Sequence, residues 1–218
     1  MFQNTIGICR ETKIIMQNGH TKNVEDLIVG DKILACDGTI NELIEPPIIQ
    51  KVSETKLFGI EGLSTNSNEK IIIDPFFSSG QLIHTGQDYA CIWKTKGQYL
   101  NIHSSSIQKL TSGMNLKLFC GILGIETIGT LKRLQLHEQC FKITKILTSI
   151  CSKPIYQLTL YGGSPSFWAN NISMGVTCPI LTANSVKGIS KEQLYRNFSL
   201  ISKALGAYTL EHILHTKE

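Results

Sequence analysis

A mainly β chain closed by a C-terminal amphipathic helix is the fold class that this sequence predicts. Three observations carry the prediction. Asn18-Gly19 and Asp37-Gly38 each sit between apolar runs, the strongest short-range hairpin signal, because both positions tolerate positive φ. Residues 155–161 alternate, with Tyr156, Leu158 and Leu160 on one side and Gln157 and Thr159 on the other, which is the period of a strand. The last forty residues change to helical spacing.

In chain order, Ile14-Ile15-Met16 forms a strand that turns at Gln17-Asn18-Gly19-His20. Val24-Glu25-Asp26-Leu27 then makes a short turn closed by Gly30-Asp31, and Lys32–Cys36 runs as a strand into Asp37-Gly38. Further strands are expected at Lys51–Val52, Leu57–Ile60 and Lys70–Ile73, with Pro46-Pro47 confined to an edge or loop because proline cannot donate to a ladder. From Ser78 to Gly113 the pattern is weaker: Trp93 and Tyr99 suit core or cross-strand positions, and His103–Ser106 suits a loop or cap. Gly162-Gly163-Ser164-Pro165 breaks the alternating strand. Phe167-Trp168-Ala169 then turns at Asn170-Asn171 into Ile172–Val176.

Ser190 and Gln193 form a capping box, and Leu194, Phe198, Ile201, Leu205 and Tyr208 follow at spacings of four, three, four and three, one apolar helical face. The expected division is therefore a β domain over 1–180 and a helical appendage over 181–218. The apolar face either packs back on the β domain or is covered by a partner.

Composition narrows the function classes. The 218 residues carry a net charge of +4, with 17% charged and 42% hydrophobic residues, which excludes intrinsic disorder. No cluster of Lys and Arg marks a nucleic-acid footprint. The opening MFQNTIGICRETK has no basic leader before an apolar core, and no run approaches a membrane span, so a soluble intracellular protein is expected. Seven cysteines, an odd number without a CxxC pair, suggest neither a disulfide framework nor a zinc site. No metal and no cofactor is expected. His84, Asp88 and His103 are scattered and form no constellation.

The stretch TKIIMQNGHTKNVEDLIVGDKILACDG, residues 12–38, closely resembles the opening of the Hedgehog/intein (Hint) family. That family begins with a Thr-x-Ile strand, a Gly turn, a K-x-(I/V)-E-D-L turn and G-D-x-(I/V). The counterparts are Thr12, Ile14, Gly19, Lys22, Val24, Glu25, Asp26, Leu27, Gly30, Asp31 and Ile33. Ile155–Leu160 followed by Phe167-Trp168-Ala169-Asn170-Asn171-Ile172 resembles the family's closing hairpin. The resemblance implies a compact horseshoe of β-hairpins. It also implies a chemistry, cleavage or splicing of the domain's own backbone, in which a first-position Cys or Ser attacks the preceding carbonyl. A Thr-x-x-His motif then polarises the peptide and protonates the leaving nitrogen, and a terminal His-Asn pair lets Asn cyclise.

Each role is tested residue by residue. The nucleophile candidate is Cys9, although the spacing-matched position is Gly7. Ile71 and Asp74 stand where the Thr and His of Thr-x-x-His belong. The only literal Thr-x-x-His, Thr209–His212, falls in the C-terminal helix. Gly175-Val176 stands where the terminal His-Asn belongs. Two readings follow. In one, the domain has lost self-processing and acts as a structural or interaction module with a protein partner, in a larger assembly such as a virus particle, a setting also suggested by an isoleucine-rich, lysine-rich composition. In the other, Cys9 drives autoproteolysis through an N-S acyl shift, with Asp74 as helper and without splicing.

Overall fold

A long β-hairpin and a closing hairpin organise the chain in a computed structural model that describes residues 5–51, 53–86, 88–93, 107–128, 131–162, 164 and 166–176. By their contacts the residues divide into two units, Met1–Cys178 and Pro179–Glu218, and the second lies outside the described residues. The helix expected over Leu194–Tyr208, with Phe198, Ile201 and Leu205, lies there too, as does Thr209–His212.

Seventeen strands are described. In order they are β1 (Ile8–Cys9), β2 (Lys13–Ile15), β3 (Thr21–Asn23), β4 (Lys32–Leu34), β5 (Ile40–Leu43), β6 (Ile48–Gln50), β7 (Thr55–Ser64), β8 (Lys70–Ser78), β9 (Ile83–His84), β10 (Tyr89–Cys91), β11 (Gln108–Lys109), β12 (Asn115–Ile128), β13 (Leu131–Cys151), β14 (Ile155–Gln157), β15 (Leu160–Gly162), β16 (Ser166–Ala169) and β17 (Ile172–Gly175). Fourteen of them join one curled sheet whose main path runs β11-β10-β9-β17-β12-β13-β7-β8-β1-β14-β6, while β16, β2 and β3 branch from β17. The remaining three pair as β15-β5-β4. The mainly β, horseshoe-like architecture that the sequence predicts is thus the observed one. Among the described residues no helix is long and apolar enough to cross a membrane.

The core follows from strand periodicity. Ile14, Ile33, Leu43, Ile60, Phe77, Phe141 and Ile172 are all at or near zero exposure and belong to one cluster. Trp168 closes a second, smaller cluster, its ring 5.6 Å from that of Phe119. Several residues of the 12–38 stretch have structural work. Val24 is buried at the start of a one-turn 3-10 helix, Val24–Asp26. Glu25 accepts the Glu11 N–H at 2.8 Å and pairs with Arg10, and Asp31 accepts both the Ile28 N–H and the Lys22 ammonium.

The observed strands depart from the expectations at several points. Of the strand expected around Lys51–Val52, Val52 lies outside the described residues; the described strand beside it is β6, directly after Pro46-Pro47, where an edge position spares the prolines any ladder bond. The alternating run 155–161 is two strands: β14 pairs with β6 in the large sheet and β15 with β5 in the small one. Trp93, expected in a core or cross-strand position, is 61% exposed and lies outside the strands, and Tyr99 lies outside the described residues. The long hairpin β12–β13 is not among the strands expected above; polar residues such as Lys132, Gln135 and Lys142 are exposed along it.

Candidate functional site

In the resemblance, the chemistry happens where the domain begins and ends, so the first question is how those ends are held. Both are bonded to one short stretch, Ser78–Ile83. On the N-terminal side, the Ser78 N–H donates to the Gly7 carbonyl at 2.9 Å and the Gly80 N–H to the Thr5 carbonyl at 3.0 Å. The buried Ser78 hydroxyl lies 2.9 Å from the Thr5 carbonyl oxygen and 3.0 Å from that of Gly7, shared between the two as acceptors. On the other side, the Gly175 N–H donates to the Leu82 carbonyl at 2.9 Å, and Gln81 Nε2 donates to the Gly175 carbonyl at 2.8 Å. Ile83 then pairs with Met174.

Gly7, the spacing-matched first position, has φ +134°, a region that side chains rarely enter, and a Cβ there would run into the Tyr156 carbonyl. Neither cysteine nor serine fits that backbone. The position that the spacing assigns to a nucleophile is instead a close strand contact.

Cys9 ends β1, which is clamped on both sides: Ile8 opposes Phe77 and Tyr156, and Cys9 opposes Ile155. The side chain is buried. Its Sγ donates to the Arg10 carbonyl at 3.2 Å and lies 3.9 Å from Thr12 Oγ1, while the Thr12 hydroxyl donates to the Cys9 carbonyl at 2.6 Å. Burial pushes the Cys9 thiol up, against a smaller downward pull from Thr12. The thiolate is the reactive form, so burial works against it, and the polar contacts of Sγ lie downstream, at the Arg10 carbonyl and Thr12, rather than at the Ile8 carbonyl.

Asp74 sits on β8 where the register with β7 slips. Phe58 opposes Phe77 and Ile60 opposes Ile73, so β8 spends two more residues than β7 over this step. A bulge of this kind re-aims side chains. Asp74 is exposed and makes no hydrogen bond or ion pair among the described residues. Cys9 and Asp74 are therefore on neighbouring strands, but no polar contact joins them. Ile71, in the Thr position, offers no hydroxyl.

At the far end, Gly175 and the buried Val176 occupy the positions of the terminal pair. Asn170 and Asn171 are turn residues as expected, at φ +46° and +65°. Asn170 Oδ1 accepts the Lys13 N–H at 2.8 Å and the Asn171 carbonyl accepts the Phe119 N–H at 2.8 Å. Among the described residues no group of His, Cys, Asp and Glu could hold a metal ion. Of the six described cysteines, Cys9, Cys36 and Cys91 are buried, Cys151 is half-buried, and Cys120 and Cys140 are exposed. Sequence reasoning missed Ser78 and Gln81, because Ser78-Ser79-Gly80-Gln81 reads as a plain loop and nothing local marks which backbone it will meet.

No protein-family model matches the chain, and no curated protein matches it. Among solved structures it is similar to a gp41-1 intein carrying three substitutions, with 19% identity, 78% of this chain and 99% of that one covered, and a TM-score of 0.44. It is also similar to the Ssp DnaB mini-intein variant M86, at 12% identity, with 84% and 100% covered and a TM-score of 0.49. A third likeness is to a bacterial intein-like domain from Clostridium thermocellum, at 14% identity, with 78% and 99% covered and a TM-score of 0.45.

Proposed function

We propose that this chain is a Hint-like domain that has lost self-processing and serves as a structural or interaction module for a protein partner. The observation that carries the reading is the Cys9 thiol, buried, pushed up by that burial, and hydrogen-bonded to the Arg10 carbonyl. On β8, Ile71 and the exposed Asp74, whose carboxylate has no partner among the described residues, stand in the positions of the activating pair, and no asparagine ends β17. The ends are still gripped by Ser78 and Gln81, so the scaffold survives without its chemistry. The partner part of the reading is supported by Leu123 and Ile125 of the β12–β13 hairpin, 64% and 72% exposed, apolar surface that a free domain would ordinarily cover. A larger assembly, such as a virus particle, is the setting we assign to it.

The test is intact mass of freshly purified wild-type protein and Cys9→Ala, each incubated with and without dithiothreitol and with hydroxylamine. One unchanged mass under every condition is expected. Nucleophile-induced loss of residues 1–8 from the wild type alone would overturn the reading and make Cys9 a thioester former.

A further inference from the structure

Outside the two chain-end contacts, the described residue whose surroundings ask for an explanation is His84. It lies on β9, directly opposite Tyr89 on β10, and the two rings meet edge to face at 5.2 Å and 69°. Its Nδ1 is buried, and among the described residues nothing hydrogen-bonds it. The turn between the two strands is pinned by Thr85, whose N–H and hydroxyl both donate to the Asp88 carbonyl, at 2.8 and 3.0 Å.

This small hairpin grips the end of β17. Ile83 opposes Met174, the Leu82 carbonyl accepts the Gly175 N–H, and the Tyr89 ring lies over Gly175 so closely that a Cβ there would come within 2.7 Å of it. The ring that covers Gly175 is thus the one that His84 packs against.

We propose that the β9–β10 hairpin is a proton-released latch on the end of β17, with His84 as its sensing group. A second proton on the imidazole would place a charged N–H in a buried position where no described residue accepts from Nδ1, a costly arrangement in a protein interior. Four described charged groups act on His84 through their fields. Lys117 on β12 repels the imidazolium, while Asp37 in the β4–β5 turn, Glu138 on β13 and Asp88 in the β9–β10 turn attract it. Glu138 is already engaged by Lys117 at 2.5 Å. Strand β17 brings Ile172, Ser173, Met174 and Gly175, none ionisable. The balance holds His84 below its ordinary value of 6.5, by burial first and Lys117 second.

The sign follows by linkage. The closed latch prefers neutral His84, and the open latch binds the proton normally. Closure is at full strength above pH 6.5 and weakens as pH falls below it, levelling off once the closed form itself is protonated. This inference does not rest on the loss of self-processing, since it concerns β17 and not Cys9.

The test is amide hydrogen exchange of Gly175 in the full chain, read by nuclear magnetic resonance and corrected for intrinsic exchange. Between pH 7.5 and 5.5 the open fraction should rise, by up to about tenfold. In His84→Gln, which cannot gain the charge, it should stay flat. A second variant, Lys117→Met, keeps His84 and removes the repelling charge, so its acid opening should be smaller than in the wild type. Equal Gly175 protection at the two pH values would overturn the proposal. So would an undiminished acid response in either variant.

Discussion

Ser78 and Gln81, three residues apart, hold opposite ends of the domain: the Ser78 hydroxyl is bonded to the Thr5 and Gly7 carbonyls, and the Gln81 amide to the Gly175 carbonyl. Both side chains are buried. A single short stretch thereby sets the distance between the segment that enters the fold and the one that leaves it.

Ser78→Ala removes the hydroxyl but leaves the backbone donors of Ser78 and Gly80 on the same two carbonyls. The expected loss of stability is about 1 kcal/mol, the net value of one hydrogen bond. Urea unfolding measures it, and a loss above about 3 kcal/mol would show that the hydroxyl does more than these contacts account for.

Gly7→Ala should cost more, at least about 2 kcal/mol, because it combines strain at φ +134° with a clash against the Tyr156 carbonyl. A soluble variant with an unchanged urea midpoint would mean that β1 and β14 can separate without penalty.

Native thiol labelling at pH 8 should modify exposed Cys120 and Cys140 first and half-buried Cys151 more slowly, with Cys9, Cys36 and Cys91 reacting only on unfolding. Cys36 is the sharpest case. Burial, offset only in part by Ser173 and Ser166, pushes its thiol up to about 12. Peptide mapping by mass spectrometry resolves the order, and early labelling of Cys9 would contradict its environment here.

Trp168→Ala should cost about 3–5 kcal/mol by opening a cavity beside Phe119. Trp168→Phe should cost much less, since among the described residues nothing accepts from the buried indole N–H. Comparing the two urea midpoints separates volume from polarity.

Much of the fold was legible because it is written locally. Asn18-Gly19, Asp37-Gly38 and Asn170-Asn171 are turns in the structure as in the sequence, since positive φ is a property of those residues and their neighbours. The missing hydroxyl at Ile71 was also legible, because residue identity alone decides it. The β12–β13 hairpin was not, since its exposed polar residues break the apolar pattern that marks a strand.

By itself, the sequence determined the strand-rich class, the turn positions and the absence of an asparagine at the end of β17, all short-range facts of side-chain chemistry. Only the tertiary structure decided that Cys9 faces the Arg10 carbonyl in a buried site, that Asp74 stands exposed, and that Ser78 and Gln81 meet opposite ends. Those contacts join residues as much as 94 positions apart. Burial and hydrogen-bond partners at that range come from how strands are ordered in the sheet, which no local pattern encodes.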